Sequence, residues 1–174
     1  MHWWPCANDR YNLLAGFRWL RLTDRLSGYE YAYDGVLGYD DQYNQGSFSR
    51  NQFWGGQVGA EGLLFGKRDL GFSVDGGVKV GIFANKISNK VSEIYEGYDG
   101  EYNYWSSTES WNRTKTAFLS EVVVNANYAF TKNISMTVGY QFLYINKVAV
   151  PVNDWASTQS VIFQGGRAGL NITF

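Results

Sequence analysis

Six charged residues lie near the centres of stretches in which apolar and polar side chains alternate. Three are cations and three are anions: Arg18, Lys79 and Arg167 against Glu61, Asp75 and Glu121. A charge removed from water must pair or stay hydrated, because isolated burial is costly. We therefore expect one interior polar network, formed by Arg18, Gln57, Glu61, Asp75, Lys79, Glu121, Gln141 and Arg167. Such residues fill a narrow interior as ion pairs, or they line a passage that selects ions.

The sequence contains few arrangements of residues of the kinds that carry out catalysis. The one histidine is His2 and the one cysteine is Cys6, and no G-x-S-x-G motif is present. Asp40 and Asp41 offer two carboxylates for acid–base work, but adjacent aspartates in a loop are far more often hydrated turn residues. No acidic segment has the spacing of a calcium-binding EF-hand loop. We expect no catalytic residues, no metal site and no cofactor, and so no enzyme.

Composition narrows the class of protein further. The 174 residues suit one domain and include 20 glycines and 18% aromatic residues, but only 18% charged residues. The net charge of −1 argues against a nucleic-acid partner. No apolar run is long enough for a transmembrane helix. The N-terminal residues do not read as a signal peptide, so we expect that any export signal has been removed.

Six stretches with a two-residue hydrophobic period are the candidate strands. They cover residues 11–23, 51–65, 70–85, 116–130, 134–146 and 160–174. Each is long enough to cross a bilayer as a tilted strand, which takes about 9–11 residues. Short connections alternate with long ones, and the long ones are 24–50, 86–115 and 147–159. This pattern predicts an all-β fold, a single domain over 1–174: an antiparallel up-and-down meander that forms a transmembrane β-barrel, or part of one, with long outer loops.

The apolar face of these stretches has aromatic residues at both ends. The end with short connections carries Tyr11, Phe72, Tyr128, Phe130 and Phe174. The end with long connections carries Trp19, Trp54, Phe118, Phe142 and Tyr144. Aliphatic residues lie between, as they do between the aromatic girdles of membrane barrels. The alternative is the core of a soluble β-barrel that holds a hydrophobic ligand, but such a core places its large side chains in the middle.

The last stretch, RAGLNITF, combines a polar residue, a glycine and alternating apolar residues that end on an aromatic one. Arg167, Gly169, Ile172 and Phe174 carry this pattern. It resembles the C-terminal β-signal of bacterial outer-membrane proteins. The resemblance implies that outer-membrane assembly machinery recognises this strand.

A wider resemblance centres on the segment N-x-F-x-G-G-Q-x-G, which begins at Asn51 and ends at Gly59. Together with VGYQFL and a late G-G element, it resembles the β-barrel porin family of planctomycete-type outer-membrane proteins. The resemblance implies a bacterial outer-membrane location and the lipid bilayer as partner. Members look longer at the N-terminus, and six strands are fewer than the usual minimum of eight. We expect missing N-terminal strands, an extra hairpin within 24–50 or 86–115, or a homo-oligomer that shares one barrel.

The two longest connections are rich in tyrosine and acidic residues. Tyrosine supplies amphipathic contact area at a modest entropy cost. A candidate binding surface comprises Tyr31, Tyr33, Tyr98, Tyr102, Tyr104 and Trp105. The other interpretation, which we favour, is that these residues extend the hairpins and pair across them. Three functions follow from the sequence: a structural barrel or narrow passive porin-like channel, a surface-binding or adhesion module, and a soluble barrel for a hydrophobic ligand.

Overall fold

The computed structural model describes residues 2–5, 11–34, 39–66, 71–98, 100–151 and 157–173. They form one antiparallel sheet in which the strand order follows the sequence. The strands are β1 His2–Pro5, β2 Tyr11–Asp34, β3 Tyr39–Gly66, β4 Gly71–Tyr98, β5 Tyr102–Ala129, β6 Ile134–Ala149 and β7 Thr158–Ile172. The predicted meander of six long antiparallel strands is confirmed as β2 to β7. The short strand β1, which pairs with Asn12–Ala15 of β2, was not predicted.

The described residues contain no helix of the length and apolar character that a membrane crossing requires.

The prediction of long loops at 24–50 and 86–115 was wrong. β2 and β3 stay paired from Asp24↔Ser49 to Asp34↔Tyr39, and β4 and β5 from Lys86↔Thr114 to Tyr98↔Tyr102. These residues therefore lengthen the existing strands and add no further hairpin to the sheet. Their hydrophobic period is weak because both faces of the extensions carry polar and aromatic residues, which strands tolerate well. The favoured interpretation, tyrosine-rich hairpin extensions, matches this pairing.

The third predicted loop, 147–159, is also partly strand. β6 and β7 pair again at Val148↔Gln159 and Ala149↔Thr158 after an irregularity that follows Ile145. Residues 152–156 lie outside the described part. Smaller boundary differences occur elsewhere, since β5 ends at Ala129 and β7 ends at Ile172. The ladder therefore continues through residues whose composition alone resembles a loop.

The two faces of the sheet carry different side chains, as the two-residue period predicts. Large apolar side chains are exposed along the outward face, including Phe17 at 71% of its possible surface. The described aromatic residues of the two predicted girdles face outward. Phe174 lies outside the described residues. The girdle residues whose side chains are exposed are Tyr11, Phe72, Tyr128, Phe130, Trp19, Trp54 and Phe118. Water-soluble monomers rarely expose a continuous apolar surface of this extent. The outward face is therefore suited to lipid.

The core lies on the opposite, inward face, where the curved sheet surrounds it. Its buried apolar cluster comprises Phe53, Phe83, Ala117, Leu119, Ile145 and Val148. The sheet is not closed into a ring among the described residues, because β7 pairs only with β6 and β1 only with β2. Both β1 and β7 are therefore edge strands.

Two adjacent glycines of β3 provide a test of the inward packing. A Cβ added to Gly55 would collide with the carbonyl oxygen of Ile82 and lie 2.7 Å from the Cα of Phe83, whereas Gly56 has nothing within 4 Å. We expect Gly55→Ala to lower the free energy of unfolding by roughly 1–3 kcal/mol through overpacking. Gly56→Ala, the matched control, should leave it nearly unchanged. Equal unfolding midpoints in urea for the two variants would contradict this packing.

Candidate functional site

The eight predicted network residues all project from the inward face of the sheet. They come from six strands: Arg18 from β2, Gln57 and Glu61 from β3, Asp75 and Lys79 from β4, Glu121 from β5, Gln141 from β6 and Arg167 from β7. The strand register brings distant parts of the sequence to neighbouring positions, such as Lys79 directly opposite Glu121. Sequence spacing alone could not show which of these residues meet.

A single carboxylate joins two of the cations. Glu121 is 6% exposed. Its Oε2 lies 2.5 Å from Nη1 of Arg18, and its Oε1 lies 3.4 Å from Nζ of Lys79. Each carboxylate oxygen therefore has its own charged donor, which is the arrangement that offsets the cost of burying the charge. We call Arg18, Lys79 and Glu121 the ion-pair layer.

A polar cavity of about 310 Å³ lies on the side of this layer nearer the short turns. Its wall includes Glu61, Asp75, Asn125, Gln141 and Arg167. Two nitrogen atoms of Arg167 donate to the same amide oxygen of Asn125, at 2.9 and 2.6 Å. Asp75 accepts a hydrogen bond of 2.7 Å from the amide of Asn127, its diagonal neighbour on β5. The cavity is polar enough to hold water.

An apolar layer lies on the other side of the ion pairs and fills the interior. Its centre is fully buried: Phe53 and Ile145 are 0% exposed and Phe83 is 1% exposed. Leu20, Leu22, Leu143 and Val161 pack around the buried cluster. We call this cluster, Phe53, Phe83, Ala117, Leu119, Ile145 and Val148, the apolar plug. The sequence analysis did not predict it, although Phe83 and Leu119 lie on the same strand faces as the predicted network residues Lys79 and Glu121.

Two asparagines hold the end of β6 against the inside of the sheet. Asn51 donates to the carbonyl of Ala149 and accepts from its backbone N–H, both at 2.8 Å. Asn85 donates to the carbonyl of Lys147 at 2.8 Å and to the side chain of Asn51 at 3.0 Å. Lys147 has a positive φ of 55°, which turns the chain so that Val148 and Ala149 are buried. We call this arrangement the asparagine clasp.

Removal of the clasp should destabilise the plug. In Asn51→Leu, both backbone groups of Ala149 lose their partner while buried, which costs about 1–3 kcal/mol of unfolding free energy. Asn112→Leu is the matched control, since Asn112 is exposed on the outward face of β5. The measurement is chemical unfolding followed by tryptophan fluorescence. A clasp variant as stable as this control would contradict the role given to Asn51.

The predicted tyrosine surface lies at the far end of the extended hairpins. Tyr33, Tyr98 and Tyr102 occupy one row of the ladder, and Tyr31 and Tyr104 occupy the row below it on the same face. Partial burial, and then the nearby carboxylate of Asp40, raises the pKa of Tyr31 above its ordinary value. These five tyrosines share a face and are exposed.

Trp105 does not belong to that face. It lies on the other side of the hairpins, where its ring stacks against Tyr95 with 6.3 Å between ring centroids. The hydroxyl of Tyr95 donates to Asp41 at 2.8 Å. Asp40 and Asp41 are consecutive in a strand and point to opposite faces, so they cannot act as an acid–base pair.

The residues of the suggested assembly signal lie along β7. Arg167 and Gly169 face inward, and Ile172 pairs with Ile134 at the short-turn end of the sheet. Phe174 lies outside the described residues, as does Cys6. Within the described ranges, no group of three or more histidine, cysteine or acidic side chains is placed to hold a metal ion.

Comparisons with known proteins bear on the family of this chain. A search of curated proteins gave no match. Among solved structures, the chain is similar to the crystal structure of Neisserial surface protein A, with 14% identity, 92% of this chain and 99% of that chain covered, and a TM-score of 0.27. A TM-score this low adds nothing to the argument. The model of the family described as "Putative beta barrel porin-7 (BBP7)" matches residues 2–156. The resemblance found in the sequence is thereby confirmed, and the chain belongs to this family of β-barrel porins.

Proposed function

We propose that this protein is a structural β-barrel of a bacterial outer membrane, with a lumen that is closed to solutes in its resting form. The observation that carries the proposal is the apolar plug, which stands across the interior between the polar cavity and the extended hairpins. A wide aqueous pore needs a continuous polar lining. A buried layer that contains Phe53, Phe83 and Ile145 interrupts that lining.

The location in the membrane is supported by the outward face. Its apolar part, which we call the apolar belt, extends from Tyr11 to Trp19 on β2 and from Phe72 to Ala84 on β4. Both segments reach the length of roughly 9–11 residues that a tilted transmembrane strand needs, and the segment on β4 is longer. Beyond this apolar belt the strands continue as hairpins with polar residues on both faces. We propose that the hairpins project from the cell surface and that the short turns face the periplasm.

The proposed barrel also requires that the sheet close into a ring. In an antiparallel meander β1 and β7 run in the same direction, so they cannot pair antiparallel with each other. An antiparallel ring forms if one further strand lies between them, or if β7 meets the free edge of β2 directly, within one chain or in a homo-oligomer. The exposed edge of β7 includes Arg167, Gly169 and Ile172. We propose that the assembly machinery recognises this segment together with the C-terminal residue Phe174.

Conductance across a planar bilayer tests the closed lumen. Purified protein that shows folded, heat-modifiable migration is reconstituted, and the current is recorded at low voltage. We expect no steady conductance above the lipid background. A steady, ohmic conductance from the unmodified protein would contradict the closed lumen and would identify the protein as a narrow passive channel.

The tyrosine surface supports a second candidate, adhesion to an external ligand. Five exposed tyrosines on one face form an aromatic surface that also carries hydroxyl groups, which suits it to contact an external ligand. Binding of cell-surface polysaccharide to the folded protein should then fall in Tyr33→Ala/Tyr102→Ala and stay unchanged in Tyr95→Phe, which alters the opposite face. If both variants bind as the unmodified protein does, adhesion through this surface is wrong.

A further inference from the structure

The outward face carries a band of basic residues immediately beyond the apolar belt, on the side of the extended hairpins. The basic band comprises Arg21, Arg25, Arg50, Lys86 and Lys90, five of the 15 basic residues in the chain. All five side chains are exposed. The register across β2, β3, β4 and β5 brings them together in three successive rows: Arg21–Gln52–Lys86–Thr114, Thr23–Arg50–Ser88–Asn112 and Arg25–Phe48–Lys90–Ser110.

The band has one sign of charge, although the chain as a whole has a net charge of −1. No outward-facing residue in the three rows is acidic. The nearest carboxylate in sequence, Asp24, belongs to the opposite face of β2, and its Oδ1 accepts from the backbone N–H of Arg25. With strands about 4.8 Å apart and rows about 7 Å apart, the cations share a patch of roughly 10 by 14 Å. In the part of the chain that the structure describes, none of the five forms an ion pair.

Aromatic rings fix the position of three of these cations. The guanidinium carbon of Arg21 lies 5.2 Å from the ring centroid of Trp19. Those of Arg25 and Arg50 lie 5.2 and 5.3 Å from the ring of Phe48. Contacts of this kind orient a guanidinium and leave its N–H groups free to donate outward.

The height of the band follows from the residues below it. Trp19 and Trp54 are paired directly across β2 and β3, and tryptophans at the end of an apolar belt mark the boundary between acyl chains and headgroups. Arg21 is the next outward-facing residue after Trp19, and Lys86 is the next after Ala84. The basic residues therefore begin at the depth of the lipid headgroups. A soluble acidic protein would have to enter the headgroup layer to reach them.

From this geometry, and on the basis of the proposed membrane location, we propose that the basic band binds the phosphate groups of an anionic lipid headgroup in the leaflet on the hairpin side. Guanidinium groups bind phosphate oxygens through paired, charge-assisted hydrogen bonds, and lysines add point charges beside them. The lipid would thus be held next to β2, β3 and β4, with its acyl chains along the apolar belt.

The test uses the full chain folded in detergent micelles and diphosphoryl lipid A as the probe. Bound lipid is counted by native mass spectrometry during a titration. The charge-neutral variant combines Arg21→Gln, Arg25→Gln, Arg50→Gln, Lys86→Gln and Lys90→Gln, and we expect it to bind at least about tenfold more weakly. Lys132→Gln/Lys147→Gln, which neutralises two exposed cations outside the band, is the control and should bind as the unmodified protein does. Affinity should also fall as salt is added.

Two further sets of variants complete the test. Arg21→Lys/Arg25→Lys/Arg50→Lys preserves the charge but removes the paired guanidinium hydrogen bonds, so its affinity should lie between those of the unmodified protein and the charge-neutral variant. If the charge-neutral variant does not fold, Lys86→Gln/Lys90→Gln replaces it and should bind several-fold more weakly. Undiminished binding by the folded neutral variants would overturn the proposal. So would displacement of lipid A by inorganic phosphate at an equal phosphate concentration, because the surface would then bind free anions and not lipid.

Two different results separate an error about the lipid site from an error about the membrane location. A protein that needs detergent and migrates as a folded barrel, but binds lipid A equally well without the band, overturns only the lipid site. A protein that stays in solution without detergent and shows no folded migration overturns the membrane location itself.

Discussion

Loss of the two plug phenylalanines should turn a closed lumen into a conducting one. In Phe53→Ala/Phe83→Ala, two fully buried rings are removed from the layer that separates the polar cavity from the hairpin side. Water can then enter the space that the two rings occupied, past the smaller plug residues and up to the polar ion-pair layer. We expect discrete channel openings in planar bilayers, where the unmodified protein gives none. The same change should lower the unfolding free energy substantially, since each buried Phe→Ala substitution costs about 3–5 kcal/mol.

Phe17→Ala is the matched control for this double variant. Phe17 is also a phenylalanine of a transmembrane strand, but it faces outward and is 71% exposed. Its truncation removes the same atoms from the lipid-facing side, so conductance should remain at background. If the plug variant folds, as heat-modifiable migration would show, and still does not conduct, then the apolar plug is not what closes the lumen.

The second large effect concerns Glu121. In Glu121→Gln, the charges of Arg18 and Lys79 lose their common counter-charge in a half-buried setting. Breaking a buried ion pair by removing one partner costs about 3–5 kcal/mol, and the partial exposure of both cations places this case toward the lower end. We expect a clearly lower midpoint of urea unfolding in detergent. Glu109→Gln, at an exposed position of the same strand, should stay within about 0.5 kcal/mol of the unmodified protein.

A double-mutant cycle separates the ion pair from other effects of Glu121. Arg18→Met and Glu121→Met are measured singly and together. Because the two side chains are in contact, the double variant should be more stable than the sum of the single changes predicts, with a coupling of about 0.5–3 kcal/mol. Strictly additive effects would mean that the pair contributes no coupling energy.

The faces of the strands could be predicted from the sequence because a strand reverses its side-chain direction at every residue. That rule alone placed Arg18, Lys79 and Glu121 on one side of the sheet. It could not show that Glu121 serves both cations, because Arg18 and Glu121 are 103 positions apart. The register places Arg18 in the row of Ala117 on β5, so the inward curvature of the sheet is also needed to bring its side chain to Glu121.

The limits of the strands were harder to predict for a physical reason. Within the apolar belt, lipid on one side and the interior on the other produce a strong hydrophobic alternation. Beyond it, in 24–50 and 86–115, neither face is mainly apolar, so the alternation fades while the hydrogen-bonded ladder continues. A composition of tyrosine, serine and acidic residues then resembles a loop, although it is compatible with a hairpin.

The apolar plug was missed because part of it depends on a local turn. The asparagine clasp brings Val148 and Ala149 inside through side chains of Asn51 and Asn85, which lie far earlier in the sequence. We also expected a polar interior, and for that reason did not predict that Phe53 and Phe83 form a buried apolar layer there. Inward-facing phenylalanines at neighbouring rows of β3 and β4 were the signal that could have predicted the plug.

The membrane location is tested most directly by extraction and electrophoresis. The protein is extracted from membranes of its source, and samples with and without heating are compared on a denaturing gel. We expect that detergent is required for extraction and that the unheated sample migrates as a compact band, which shifts on heating. A protein that dissolves without detergent and migrates identically in both samples would contradict the membrane barrel, and its outward apolar face would then need another explanation.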